Sequence, residues 1–168
     1  SCTSRGRAIH KERDAGFCKQ EQTHVWSQRV TRLSMGRSFV HLHAHSEYSL
    51  LDGACRTAEM VARAAEFGMP ALALTDHGVL YGALEFYFAA KACGIIGCEM
   101  YVAPRGHRDK SARDEYHLTV LAADKAGYKN LLRLVSAGFL EGYYYKPRVD
   151  LDLLARHSQG LIVLSGCL

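Results

Sequence analysis

A chain of 168 residues with 48% hydrophobic content suits one domain of ordinary size and can bury a packed core. No run nears the ~18 apolar residues of a membrane span, and the first residues lack the apolar stretch of a secretory signal, so a soluble, cytoplasmic protein is expected. Of the 21 Lys/Arg and 17 Asp/Glu, seven and three fall in residues 1–34; the net charge of +4 therefore sits there, and the balanced remainder excludes a generally basic nucleic-acid binder.

Residues 1–34 have few apolar positions and no period, which fits either a basic binding arm or a disordered or non-native leader. Met35 directly precedes the first strand and looks like a natural start, so the folded domain is expected over 35–168. Residues 38–45 read as a strand. Period two would place His41, His43 and His45 on one face, with Asp52 in the loop that follows. A single such histidine is better read as solvated or hydrogen-bonded in the core. Three in alternation beside a carboxylate suit a metal ion.

The pattern then alternates. Residues 57–67 read as a helix closed by Gly68 and Pro70. Residues 71–75 form a short apolar strand. Residues 80–93 are helical, with Leu84, Tyr87, Phe88 and Lys91 at mixed helical spacing, and end at Gly94. Residues 95–103 form a strand, 104–115 a polar charged loop, and 116–122 another strand. Asp124 caps a helix to about residue 139 with Tyr128, Leu131, Leu132 and Val135 as its apolar stripe. Residues 150–157 form a short helix and 161–164 a fifth strand. Strand–helix alternation predicts α/β architecture, with a parallel sheet and outer helices. A closed barrel of this kind usually takes ~250 residues, so an N-terminal fragment is expected. Six cysteines show irregular spacing and no CxxC pair, so most, Cys93 and Cys98 included, are expected as buried thiols.

Metal-ligating residues recur at strand ends: His43, His45, Asp52, Asp76-His77, Glu99, His117 and Cys167. Parallel α/β folds gather such residues at one rim. Imidazole, carboxylate and thiolate together suit zinc, manganese or iron. Their number exceeds the needs of one tetrahedral ion and suggests two or three.

The segments HLHAHSEYSLLDG, ALALTDHGVLYGALEFY, IIGCEMYVAP, HLTVLA and KPRVDLDLLARHSQGLIVLSGCL resemble, in that order, the PHP domain family, and within it the branch that opens the α subunit of bacterial replicative DNA polymerases. The resemblance covers about residues 38–168. It implies a distorted (β/α)7 barrel, here incomplete, with a trinuclear metal cleft. By motif, His43, His45 and Glu99 would hold one ion. Glu99 would bridge to a second, also bound by His117 and Cys167, and Asp52 and His77 would contribute to a third. Glu99, His43 and His45 would then be the catalytic core.

The chain departs from the family pattern in two places. The last Asp-x-His motif lies beyond Leu168, and about three residues are missing before Glu99, where the chain reads Gly94-Ile95-Ile96-Gly97-Cys98-Glu99. Losing an odd number of residues within a strand would turn side chains to the other face, so Glu99 keeps its place only if the loss is absorbed in the turn after Gly94.

The resemblance implies a 3′–5′ exonuclease dependent on two to three divalent ions, Zn or Mn, with Mg serving a polymerase part outside this chain. Implied partners are primer–template DNA, a proofreading exonuclease subunit and a sliding clamp. The alternatives are a metal-stabilised scaffold that docks the proofreading subunit and a free-standing PHP phosphoesterase. The fragment alone is expected to be inactive. Arg105, Arg108, Lys110 and Arg113 form a basic loop that is either merely solvated or steers DNA. Tyr143, Tyr144 and Tyr145 either pack near Pro147 or stack on bases.

Overall fold

A computed structural model describes residues 39–166. The leader and Cys167 lie outside the described residues. The elements are α1 (Thr57–Glu66), β1 (Leu72–Leu74), α2 (Ala83–Ala90), a 3-10 turn (Lys91–Cys93), β2 (Gly94–Val102), β3 (Tyr116–Ala122), α3 (Lys125–Leu140), β4 (Arg148–Val149), α4 (Leu151–Arg156) and β5 (Leu161–Ser165). Among these, β2 organises the sheet, whose order is β1-β2-β3-β5 with β4 also paired to β2.

The expectation of a purely parallel sheet is corrected. β1 and β4 run parallel to β2, but β3 is antiparallel to both β2 and β5. The architecture is mixed α/β, with β3 as the reversed strand. The connection explains this: residues 104–115 form a loop without a helix, too irregular to carry the chain back across the sheet as a parallel crossover does.

The expected first strand reduces to one parallel bridge, His41 with Leu72. The N–H of Ala73 donates to the His41 carbonyl and the N–H of Thr75 to that of Ala44. Three residues on one side thus span two on the other, and the chain bends at 42–43. The N–H of Ala44 donates to the Thr75 hydroxyl at 2.9 Å instead of to a ladder carbonyl. A side chain has replaced a backbone partner.

Along β2, Cys98, Met100 and Val102 face a core completed by Leu131 and Leu134 of α3, Val149, and Leu153 and Leu154 of α4. The alternate residues Gly97, Glu99 and Tyr101 face the other way. Gly97 is required there: an added Cβ would lie 2.7 Å from the Val120 carbonyl and 2.6 Å from Leu121. The apolar stripes differ from the sequence expectation. On α2 the buried residues are Ala83, Phe86 and Ala90, while Leu84, Tyr87 and Phe88 are exposed. On α3, Leu131 and Leu134 are fully buried, while Tyr128 and Leu132 are partly exposed. Cys98 is buried as expected, Cys93 is half-buried, and Cys55 is exposed.

α2 stops at Ala90, earlier than the pattern suggests, and the 3-10 turn feeds straight into β2. Lys91 takes φ 52° and ψ −128°, a region that favours glycine. The strand that starts at Gly94 sets Glu99 in register opposite Thr119.

Candidate metal centre

Glu99 is 4% exposed and sits at the middle of four imidazoles. Its Oε2 lies 3.0 Å from His43 Nε2 and 2.8 Å from His45 Nε2. Its Oε1 lies 2.5 Å from His117 Nδ1 and 3.5 Å from His77 Nδ1. Asp52 closes the open side, with Oδ2 2.9 Å from His77 Nε2 and Oδ1 3.5 Å from His45 Nδ1. Two groups have ligand atoms close enough to share an ion: His43, His45 and Glu99, and His45, Asp52 and His77.

Each ligand reaches this point for a local reason. The fold carries Glu99 and His117 on one face because Tyr101 pairs with His117 and Glu99 with Thr119 across an antiparallel ladder. His77 leaves the end of β1 and bridges Glu99 in parallel. His43 and His45 come from the bent segment before it. Asp52 is placed by a turn wrapped around Asp76. The N–H and hydroxyl of Ser46 donate to the Asp76 carboxylate at 2.7 and 2.8 Å, as does the Ser49 hydroxyl at 2.8 Å. Gly53 closes this turn, where a Cβ would lie 1.8 Å from the Ser46 carbonyl.

Asp76, expected among the ligands, is instead a fully buried carboxylate that spends its oxygens on Ser46 and Ser49. His41 does not join the cluster. The bend at 42–43 breaks the period of two, and His41 lines a groove with Glu59 and Met60 that His43 also borders. The residues that sequence reasoning missed are Thr75 and Thr119, whose hydroxyls lie 3.0 and 3.2 Å from His43 Nδ1. Thr75 donates its own proton to the Ala44 carbonyl, so it accepts from His43 Nδ1–H. That leaves the Nε2 lone pair aimed at Glu99. Only the hydroxyl at each strand position hinted at this.

Burial lowers the His43 pKa against the pull of Glu99, and the neighbouring imidazoles lower it further. The hydrogen bond from His77 holds the Asp52 carboxyl below its usual range. Tyr101, stacked 5.9 Å from His77 and edge-on to His117, is pushed up to about 12 by burial and by Glu99. The donor set suits a cation. His77 Nδ1 is buried with no hydrogen-bond partner and faces Glu99, and two imidazole nitrogens converge on one carboxylate oxygen. Lone pairs opposed to a carboxylate repel unless a proton or a metal ion lies between them.

A family model described as PHP domain matches residues 41–168. The chain belongs to the PHP domain family. The PHP chain is 55% identical over 138 residues to DNA polymerase III subunit alpha of Treponema pallidum, covering 78% of this chain and 12% of that protein. It is 51% identical over 138 residues to the same-named protein of Chlamydia trachomatis, covering 78% and 11%. Against that of Thermus aquaticus it is 49% identical over 140 residues, covering 77% and 12%. It therefore spans about one eighth of the curated relatives it matches. An amidohydrolase structure from Chromobacterium violaceum overlaps 70% of this chain and 48% of its own at 22% identity, with a TM-score of 0.40, too low to bear on function.

The basic loop spends most of its charge internally. Arg105 pairs with Asp114 at 2.8 Å, Arg108 pairs with Glu141, and the Arg113 guanidinium sits 3.5 Å over the Tyr145 ring. Lys110 is exposed. Of the three tyrosines, Tyr143 stacks on Phe139 and Tyr144 lies beneath the Arg148 guanidinium, while Tyr145 is 59% exposed.

Proposed function

We propose that this PHP domain is a metal-dependent phosphodiesterase that trims the 3′ ends of primer strands within a replicative DNA polymerase α subunit. The observation that carries the reading is the buried Glu99 carboxylate surrounded by His43, His45, His77 and His117, with Asp52 at the open side. His43, His45 and Glu99 would hold one divalent ion, and Asp52 and His77 would contribute to another. His117 would join Glu99, and Cys167, which the motif resemblance pairs with it, would complete a further site.

Zinc or manganese suits this mixture of imidazole and carboxylate. Such ions lower the pKa of bound water and offset the charge that builds on a scissile phosphate. The chain's own groups prepare the ligands. Thr75 keeps the His43 proton on Nδ1. The ionised Asp52 accepts a hydrogen bond from His77 Nε2–H, which leaves the Nδ1 lone pair toward Glu99. The buried ring of Tyr101 covers one flank of His77 and His117 and keeps water from it.

Relatives named as DNA polymerase III subunit alpha support placement in a replicase. There the partners would be primer–template DNA, a proofreading exonuclease subunit and the sliding clamp, and Mg would serve the polymerase part. The test combines metal analysis of the intact protein with hydrolysis of 3′-labelled single-stranded DNA. Bound Zn or Mn together with chelator-sensitive release of 3′ nucleotides is expected. Bound metal without hydrolysis at any metal load would instead favour a metal-stabilised scaffold.

A further inference from the structure

The turn at residues 143–147 forms a part of the rim to which the metal centre gives no role. Tyr145 takes φ 61°, in the left-handed region that bulky residues rarely adopt. The Tyr144 N–H donates to the Lys146 carbonyl at 3.1 Å and pins the turn. Pro147 leans on Gly78, where a Cβ would meet it at 2.7 Å, and Gly78 directly follows His77. The turn is thus fixed to the segment that carries a candidate ligand.

Two side chains of this turn sit differently. The Lys146 ammonium lies 4.4 Å from the centroid of Tyr101, the ring stacked against His77 and edge-on to His117. It is paired with Glu115, which keeps the extended side chain ordered on the rim. Beside it, the Tyr145 ring is more than half exposed, with the Arg113 guanidinium against one face. A cation next to a metal rim, followed outward by an exposed ring backed by a second cation, is the alternation that binds a single nucleic-acid strand: phosphates on the cations and a base on the ring. An acidic peptide would use the cations and gain little from the ring.

We propose that the 143–147 turn is the strand platform of the site, with Lys146 holding a backbone phosphate beside the metal rim and Tyr145, backed by Arg113, stacking a base. This deepens the phosphodiesterase reading and rests on it for the direction in which the strand runs.

The test uses the full chain in EDTA, so that no hydrolysis interferes, and follows anisotropy of a 5′-labelled dT10 across a salt series. Lys146→Met should weaken binding about fivefold and flatten the slope of log affinity against log salt by about 0.7, the share of one single-strand phosphate. Lys146→Arg should keep the slope. Tyr145→Ala should weaken binding about fivefold or more with the slope unchanged. Parent-like affinity and slope in both Lys146→Met and Tyr145→Ala would overturn the platform, as would equal competition by poly-glutamate or inorganic tripolyphosphate. The parent reading fails separately: dT10 binding that follows this pattern in a protein that never hydrolyses DNA with metal would uphold the platform and remove the phosphodiesterase.

Discussion

Glu99 and His117 meet across an antiparallel ladder, with Oε1 2.5 Å from Nδ1, although one lies near the end of its strand and the other at the start of its own. In an all-parallel sheet His117 would open its strand at the opposite rim. Reversal of β3 brings its first residues beside the last residues of β2, and the imidazole joins the cluster.

Glu99 touches all four imidazoles, so its loss should remove more than one ion. In the parent, a metal present at 100 times its dissociation constant adds about 2.7 kcal/mol to unfolding stability, and chelator should remove that increment. In Glu99→Ala the chelator effect should shrink well below the parental size, and elemental analysis should find at most the ion that His45, Asp52 and His77 could share. A chelator effect of parental size on the unfolding midpoint of the variant would place the ions elsewhere.

Thr75 sets the proton position on His43, and this gives a milder prediction. Thr75→Val keeps the shape but removes the acceptor for Nδ1–H and the partner of the Ala44 N–H. Metal affinity should fall about 10–100-fold, as for other lost partners of ligating histidines. Competitive titration with a coloured chelator reads this directly. Thr119→Val, which removes the longer contact at 3.2 Å, should cost less.

The residues that form the centre were largely legible in the sequence, and their connections were not. Motif spacing led to His43, His45, Asp52, His77, Glu99 and His117, which the fold brings together around one carboxylate. Strand alternation misled at His41, and strand-end placement at Asp76. Strict alternation assumes an unbroken strand, and the Thr75 hydroxyl breaks it by capturing a backbone N–H. Asp76 looks like a ligand beside His77, but the two adjacent side chains point to opposite sides and the serines lie on its side. β4, two residues long, carries too little pattern to be seen, and the antiparallel course of β3 depends on a loop whose path no periodicity encodes.

Lys91 should be replaceable with benefit. Its φ of 52° and ψ of −128° cost a residue with a Cβ of order 1–3 kcal/mol. Glycine avoids that strain at a backbone-entropy cost of about 0.5–1 kcal/mol. Lys91→Gly should therefore raise unfolding stability by about 1 kcal/mol, read from urea melts. A loss of stability would mean that the turn before β2 is relaxed as it stands.

Asp150 predicts a pH dependence. Burial pushes its carboxyl up, but the backbone N–H and ring of His107 and the Leu153 N–H outweigh this and hold it at about 2. A depressed carboxyl stabilises the fold above its unfolded value near 3.8 and loses that contribution as pH falls toward 2. Asp150→Asn also weakens the cap of α4 and should cost about 1 kcal/mol at pH 7. The gap between parent and variant in chemical melts should stay constant from pH 7 to about 4.5 and narrow below 4. A gap that widens on acidification would contradict the assignment.

Arg148 is almost completely buried, and its guanidinium donates to the carbonyls of Gly142 at 3.3 Å, Ala112 at 3.2 Å, His107 at 3.5 Å and Asp109 at 2.7 Å. Every residue type supplies a carbonyl, so this grip is indifferent to which side chains the 104–115 loop displays. Evolution can rewrite the charges at 105, 108, 110 and 113 while the path of the loop stays the same. A lysine at 148, with three donors in place of a planar fork of five, could not hold so many oxygens at once. The freedom of the loop to vary would end with that one substitution.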